Sequence, residues 1–550
     1  MVAARGRMAG NKKNRGILPN VRTFSLQKNL SGISRNKDER FLKPNEALDI
    51  INMHSIKDGT WSADRIGYSH VNGTAVESGA AIDGVHWFTD SNQVDYLLLA
   101  ANGKLKQINV STGVVTDADA SAGYAVGGSV DFQNFNGYVY TCDGSIAKPR
   151  RWDGASAADS GGFPISDGIN SFSKPKYVEQ HQNRLAYLGF DGFPDHIAIS
   201  DQDEGETFTQ PATASNHSFI AEIAPGVGGI LTGARSLPIP NSNEDTLVIF
   251  KSRGIYALIG ASGWAADPDK FKVIRINSEF GAFNNRCIVQ VGQDLLALNE
   301  YGIISYSSAN NSGTIQPVGI NVNRIRDIVD RINLSARSKC WGIHIADRRE
   351  VWFGVPTGAS TQVNEFIVYK YPDPGEPESL PRWTRRTGLI AGHGALVNKT
   401  FYIGTYVGFI GQMFNSSMYH LTGINWKYAY PSWDMGNELQ FKRILHAESV
   451  FRLRSNQIVT IKTEWRGGGN NDVNSDTYNV ESSAGGAIYG QAVYGSSVYG
   501  SASELTQEFP VPGNGKRIRF TLSGATNTSG PEFLGLSIKS EVGGISSHWN

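Results

Sequence analysis

Asp245-Thr-Leu-Val-Ile-Phe-Lys-Ser-Arg-Gly-Ile-Tyr-Ala-Leu-Ile259 and Asp294-Leu-Leu-Ala-Leu-Asn-Glu-Tyr-Gly-Ile-Ile-Ser-Tyr306 share one pattern. In each, a run of β-branched, leucine and aromatic residues breaks at a short polar turn ending in glycine (Gly254, Gly302), and a second such run follows. That pattern specifies a β-hairpin, and the two copies lie about 50 residues apart. A hairpin repeated at this period is the unit of a β-propeller, a fold shared by many unrelated functions.

Working outward, the same unit recurs. Asp95–Asn109 turns at Asn102-Gly103, the strongest two-residue hairpin signal. Gly137–Gly144 leads into Pro149–Gly154, and Asn183–Gly192 returns through His196–Ser200. Arg349–Val355 pairs with Glu365–Tyr371, and Lys399–Gly404 returns through Gly408–Met413. These make about seven units at spacings of roughly 43–62 residues. Six or seven blades both fit, and stacked sandwiches are the alternative; radial closure favours the propeller because it leaves no long exposed sheet edge. One segment departs from the β pattern. Val322–Asn333 places Ile325, Ile328, Val329 and Ile332 on one face, with Arg326, Asp330 and Arg331 opposite, which predicts an amphipathic helix of about three turns.

After roughly Asn415 the pattern changes to alternating, half-buried strands: Leu439–Leu445, Ile458–Trp465, Lys516–Leu522 and Leu534–Lys539. The expected fold is therefore all-β. A basic extended arm (1–45) precedes a propeller of six or seven blades (46–417), and a β-sandwich-like domain (418–550) follows. Within the last, a 485–503 loop repeats Val/Ile-Tyr-Gly at Tyr489, Tyr494 and Tyr499. Tyrosines presented at regular intervals between glycines suit self-association or a partner contact, and the alternative is a flexible low-complexity loop.

The chain has 51 Lys and Arg against 51 Asp and Glu, but Met1–Lys43 holds eleven of the basic residues and only Asp38 and Glu39. The remainder is thus acidic by nine charges. Arg5, Arg7, Lys12, Lys13, Arg15 and Arg22 are the candidates for contact with a neighbouring acidic surface or with DNA, and a solvated tail is the alternative. No apolar run approaches the ~18–20 residues of a membrane span, and the basic N-terminus lacks the apolar core of a secretory signal. Cys142, Cys287 and Cys340 are too widely spaced for a disulfide framework or a zinc knuckle; buried thiols and intracellular synthesis are expected.

Little in the sequence suggests catalysis. Asp203-x-Gly205-x-Thr207-Phe208 resembles the Asp-box of sialidases, which in that family is a structural turn without a catalytic role. The surrounding acids do not follow the ligand order of a calcium loop. None of the eleven histidines makes a metal-spaced pair. His344 with Asp347 is explained by a strand and the turn after it, and Gly226–Gly229 lacks a phosphate-binding lysine and reads as a loop. No catalytic residue, metal or cofactor is expected.

Several short motifs in order are similar to the propeller-bearing tail hub or nozzle (packaged-DNA stabilisation) proteins of short-tailed bacteriophages. They are Leu42-x-Pro44-x-Glu46-Ala47 with Asn52 and Asp58-Gly59-x-Trp61; Asn183–Tyr187 with Ile199–Gly205; Val248–Tyr256 leading to Ser278–Ala282; and the short helix before Trp341. The long arm and the Tyr-Gly insertion depart from that pattern. The resemblance implies a non-enzymatic virion tail component made in the host cytoplasm. It implies a homo-oligomeric ring, a hexamer, that extends the channel of the portal and adaptor. Such a ring contacts tail fibres or spikes, retains the packaged double-stranded DNA and guides its ejection. A glycan-binding or sialidase-like propeller is the alternative function.

Overall fold

In a computed structural model the described residues are 20–26, 32–35, 38–43, 45–56, 60–208, 218–238, 245–259, 272–309, 314–320, 324–372, 380–436, 440–453, 457–466, 473–481, 503–526 and 529–542. They form seven four-stranded antiparallel blades. Blades 1 to 6 run over residues 82–119, 131–159, 177–222, 231–277, 288–319 and 341–387. Blade 7 takes Ala391–Val397, Thr400–Thr405 and Ile410–Ser416 from the end of the propeller and its fourth strand, Gly67–His70, from the beginning.

The two hairpins that decide the fold are the middle strands of blades 4 and 5. Asp245–Lys251 pairs with Ile255–Ile259, and Asp294–Asn299 with Gly302–Ala309. In blade 1, Asn102 and Gly103 both take positive φ (51° and 74°), which a tight two-residue turn between right-twisted strands requires. Lys251 ends its strand fully buried, and its ammonium donates to the carbonyls of Ile223, Ala224 and Val227 at 2.9, 2.9 and 2.7 Å. The Gly226–Gly229 loop is thereby drawn over the blade 4 turn. Gly228 allows this approach, since a Cβ there would stand 2.0 Å from the Arg253 carbonyl oxygen.

Seven apolar clusters accompany seven blades. Six of them lie one between each pair of neighbours, including Ile82, Val85 and Leu97 of blade 1 against Val397, Tyr402 and Ile410 of blade 7. The seventh lies between blades 5 and 6 and continues into the C-terminal domain. A cluster at every interface, including the last against the first, closes the ring and selects seven blades over six.

The C-terminal domain is a two-sheet sandwich. One sheet contains Lys442–Leu453 between Ser503–Phe509 and Glu532–Val542; the other contains Asn425–Ala429, Arg517–Ala525, Ile458–Arg466 and Val473–Glu481. The second sheet is continuous with blade 6. The short strand Asp49–Ile51 pairs with Asn425–Ala429 on one side and meets Arg385 of blade 6 on the other, making a sheet of nine strands.

Three expectations are corrected. The strands Asp49–Ile51, His54–Ser55 and Trp61–Ser62 belong to the sandwich and its joint rather than to the propeller. Residues 1–45 are not wholly an arm: Asn20–Leu26 pairs along the edge of Glu532–Val542, and Ile33 enters the joint core. The predicted three-turn helix is a single turn, Arg326–Val329. Its four apolar residues are buried as their spacing requires, but Ile332 is taken into a bridge with Thr357, and Asn333 caps the next short helix, which ends the first.

Candidate functional site

The first strand of every blade faces the propeller axis and contributes to an axial cavity of about 400 Å³. Together with Gln133 and Arg286, its polar lining includes His86, Asp131, Glu179, Arg235, Gln290, His344 and His393, one from each of blades 1 to 7 in turn. Strand alternation explains the placement. Each of these side chains points inward from a strand whose neighbouring residues pack between blades.

A continuous hydrogen-bonded chain holds one side of the cavity. Arg235 pairs with the Glu179 carboxylate and donates to Asn285 Oδ1 at 3.2 Å. Asn285 Nδ2 donates to Asp131 Oδ2 at 2.7 Å, and that oxygen also accepts from the Val178 amide at 3.0 Å. Burial raises the pKa of Glu179 to about 7 against the opposing pull of Arg235, and the Asp131 charge adds to the rise. Burial likewise raises Asp131. Across the cavity, burial lowers His86 to about 4 despite its 2.8 Å hydrogen bond to Asn134 Oδ1. His393 is held far below the ordinary imidazole range by burial, then by Arg286 and His86, and its Nδ1 accepts the Val85 amide at 3.2 Å. Neutral imidazoles therefore face two carboxyl groups that resist ionisation.

Arg286 ties this ring together. Its guanidinium donates to the Asp83 carbonyl (2.9 Å), the Ser338 carbonyl (3.0 Å) and the Ser129 hydroxyl, linking the entrances to blades 1, 2 and 6. Each described arginine of the cavity is committed to protein groups, an arrangement suited to fixing seven blades about an axis.

The residues selected from sequence lie elsewhere. Arg5, Arg7, Lys12, Lys13, Arg15, Tyr489, Tyr494 and Tyr499 are outside the described residues. Arg22 stands opposite Ser540 on the strand that edges the sandwich. The Asp203–Phe208 turn joins the third and fourth strands of blade 3. The Asp203 amide donates to the Asn183 carbonyl at 2.7 Å, and a Cβ on Gly205 would come within 3.1 Å of Leu185, Tyr140 and Phe135. Phe208 packs on Phe163 and Tyr187, so the turn wedges blade 3 against blade 2. His344 and Asp347 do not meet: His344 Nε2 lies 3.1 Å from the Tyr371 hydroxyl, and Asp347 faces Lys399 at 3.7 Å. The three cysteines are free and buried. Among the described residues, His446, Glu448 and Glu508 group their ligand atoms within 4.8 Å on the sandwich surface, and the imidazole lies 3.5 and 3.7 Å from the two carboxylates. No helix of the described residues is long and apolar enough to cross a membrane.

The motif Glu46…Asn52…Trp61 does acquire a role. Asn52 adopts positive φ and spans the joint. Its amide nitrogen donates to the Thr387 carbonyl (3.0 Å) and the Asn425 carbonyl (2.7 Å), while its oxygen accepts the Thr387 amide (3.0 Å). One side chain thus clips blade 6 to the sandwich. Glu46 receives Arg324 at 2.8 Å, and Trp61 is buried in the shared core.

No protein-family model matches the chain, and no curated protein matches it. Among solved structures, BamB from Moraxella catarrhalis is 11% identical with a TM-score of 0.35, over 66% of this chain and 93% of that one. The Neurospora crassa Pan2 WD40 domain is 7% identical with a TM-score of 0.37, over 64% and 96%. Overlaps this loose carry no argument, and the propeller rests on the strand pairing and ring closure of the chain itself.

Proposed function

We propose that the chain is a non-enzymatic structural component of a short-tailed bacteriophage tail. In this reading it is a nozzle or hub subunit that assembles into a homo-oligomeric ring of six. The ring continues the portal–adaptor channel, retains packaged DNA and guides its ejection. The observation that carries this reading is the placement of the two appendages on a stiff body. The nine-strand sheet joins propeller and sandwich without a linker. The strand after the basic arm enters the sandwich at Asn20, beside Val542 and Lys442. The strands flanking the Tyr-Gly segment leave it at Glu481 and Ser503, beside Ile458 and Leu453, at the other end of the twelve-residue strand Lys442–Leu453. The two attachment points are therefore separated by about 35 Å. A rigid wedge gripping one neighbour at each end is what a layer in a stacked, cyclic assembly needs. The acidic excess outside the arm suits a channel through which phosphates slide without sticking, and the basic arm suits the acidic flank of an adjoining copy.

Cryo-EM and mass photometry of the full chain, alone and with a portal–adaptor complex, test the reading. Closed six-fold rings are expected. A variant lacking residues 1–19, which keeps the Asn20–Leu26 strand, should lose ring formation while its circular dichroism and melting temperature stay unchanged. A chain that remains monomeric under both conditions, or that hydrolyses sialosides, overturns it.

A further inference from the structure

A second recess, of about 150 Å³, opens beside the mouth of the axial cavity, where the turns of blades 4 and 5 meet the entrances to blades 3 and 6. Three cations line it: Lys176 at the start of blade 3, Arg253 in the Ser252–Gly254 turn of blade 4, and Arg337 in the short helix before blade 6. The backbones beneath two of them are pinned. The Arg253 amide donates to the Gly228 carbonyl at 2.7 Å, and the Gly254 amide to the Phe280 carbonyl at 3.1 Å. The buried Asn284 side chain donates to the carbonyls of Arg337 and Cys340, both at 3.0 Å.

The charge of this recess is not balanced from within. Among the described residues Glu300 is the acid that lines it, and it stands 3.9 Å from Arg253, whose side chain is largely exposed, a long and weak pair. Lys176 and Arg337 have no carboxylate at ion-pair distance among the described residues; Lys176 instead lies 5.4 Å above the Tyr177 ring. Lys176 is exposed as a residue, yet packing about its ammonium and repulsion from Arg337 lower its pKa. Thr232, also in the lining, is 4% exposed, and its hydroxyl has no hydrogen-bond partner among the described residues. A buried donor left without a partner is costly, so its presence points to an acceptor. Like charges held together around an unused donor form the complement of an anion. The volume is below the ~300 Å³ at which drug-sized pockets begin, which restricts the ligand to a compact group.

We propose that this recess binds a phosphate-sized oxyanion, held by Lys176, Arg253 and Arg337, with the Thr232 hydroxyl donating to one of its oxygens. Inorganic phosphate and the terminal phosphate of a small monoester share this chemistry. The inference does not depend on the tail reading.

Calorimetric titration of the full chain with inorganic phosphate, with a nucleoside monophosphate and with citrate, at one ionic strength maintained by chloride, tests it. Saturable binding of phosphate or of the monophosphate is expected, and the tighter of the two identifies the source. The Lys176→Met/Arg337→Met double variant should lose about tenfold or more in affinity, since charge-assisted bonds are the strong ones. Thr232→Val should weaken binding several-fold while leaving the melting temperature in chloride unchanged or higher, because it removes an unpaired hydroxyl. Absence of saturable binding, binding of citrate alone, or unaltered phosphate affinity in either variant overturns the proposal.

Discussion

The segment from Asp49 to His70 makes two joints by opposite physical means. At the ring seam, Gly67–His70 completes blade 7, and the meeting of blades 7 and 1 is mainly apolar: Ile82, Val85 and Leu97 pack on Val397, Tyr402 and Ile410, with the Val85 amide donating to His393 and Asn398 donating to Asp95 beside them. Shape decides this seam, since a Cβ on Gly392 would stand 2.3 Å from the Ile82 carbonyl oxygen. At the propeller–sandwich joint, charge decides. Asp49 is buried and receives Arg385 bidentately at 2.8 and 2.7 Å, with Arg35 at 3.2 Å. Arg385 reaches on to Glu365 at 3.0 Å, and Arg35 to Asp327 at 2.7 Å. Burial acts to raise the Asp49 pKa, but Arg385, Arg35 and Lys427 together overcome it and hold the group below its ordinary value. Shape complementarity tolerates salt and acid. A charge network holds only while its carboxylate is ionised.

The largest effects should come from breaking the joint. Asp49→Ala leaves the Arg385 and Arg35 guanidinium groups in a half-buried site without their shared acceptor, a loss of about 3–5 kcal/mol. Calorimetry should then resolve separate propeller and sandwich transitions, provided the unaltered chain melts in one. The pKa of Asp49 is depressed in the folded state, so its contribution is present above about pH 4, the unfolded value, and is lost as pH falls through the folded one. The joint should therefore separate first in acid. Gly392→Val attacks the seam instead. Overpacking against a fixed backbone costs about 1–3 kcal/mol or more, and the expected loss is confined to the propeller transition and shows no dependence on pH between 3 and 5. If the two variants give the same thermogram at both pH values, the distinction between a joint of charge and a seam of shape is wrong.

What could be read in the sequence follows the same division. All seven hairpins legible there are the second and third strands of the seven blades. The second strands are buried on both faces and carry an almost uninterrupted apolar signal, and the turn that follows each one marks a third strand even where, as in Lys104–Asn109, that strand is half-exposed and polar. The first strands are hard to read because they face the axis. Tyr177-Val-Glu-Gln-His181 and Leu231-Thr-Gly-Ala-Arg235 mix core residues with the cavity's Glu179 and Arg235, and the mixture conceals the strand. Read for alternation, a lone charge within such a run is the signal that could have marked the cavity. Fourth strands such as Lys272–Asn277 are largely exposed and carry little apolar signal. The joint had no local signature at all, since Asp49 and Arg385 are 336 residues apart. Asn52 stands in a short motif, but its three bridging hydrogen bonds exist only once blade 6 and the sandwich have met.

The axial cavity supplies a smaller test, because its ion pair, Glu179 with Arg235, lies between blades 3 and 4 and outside both joints. The pKa of Glu179 is raised to about 7, well above the ~4.3 of a free glutamate. Between these values the unfolded chain gives up a proton that the folded chain keeps, so stability from this group falls as pH rises from about 4.5 to 7. His86 and His393 act in the other direction. Their depressed values supply stability above about pH 6.5 that is lost as pH falls toward 4. Glu179→Gln keeps an acceptor for Arg235 and removes the first term alone. Its stability relative to the unaltered chain, measured by urea denaturation, should therefore rise from pH 5 to about pH 7 and level off above it, and its acid limb should be unchanged. A difference that is constant with pH would mean that Arg235 keeps Glu179 ionised throughout. The cavity would then be a charge network like the joint, and shape would decide the ring only at its seam.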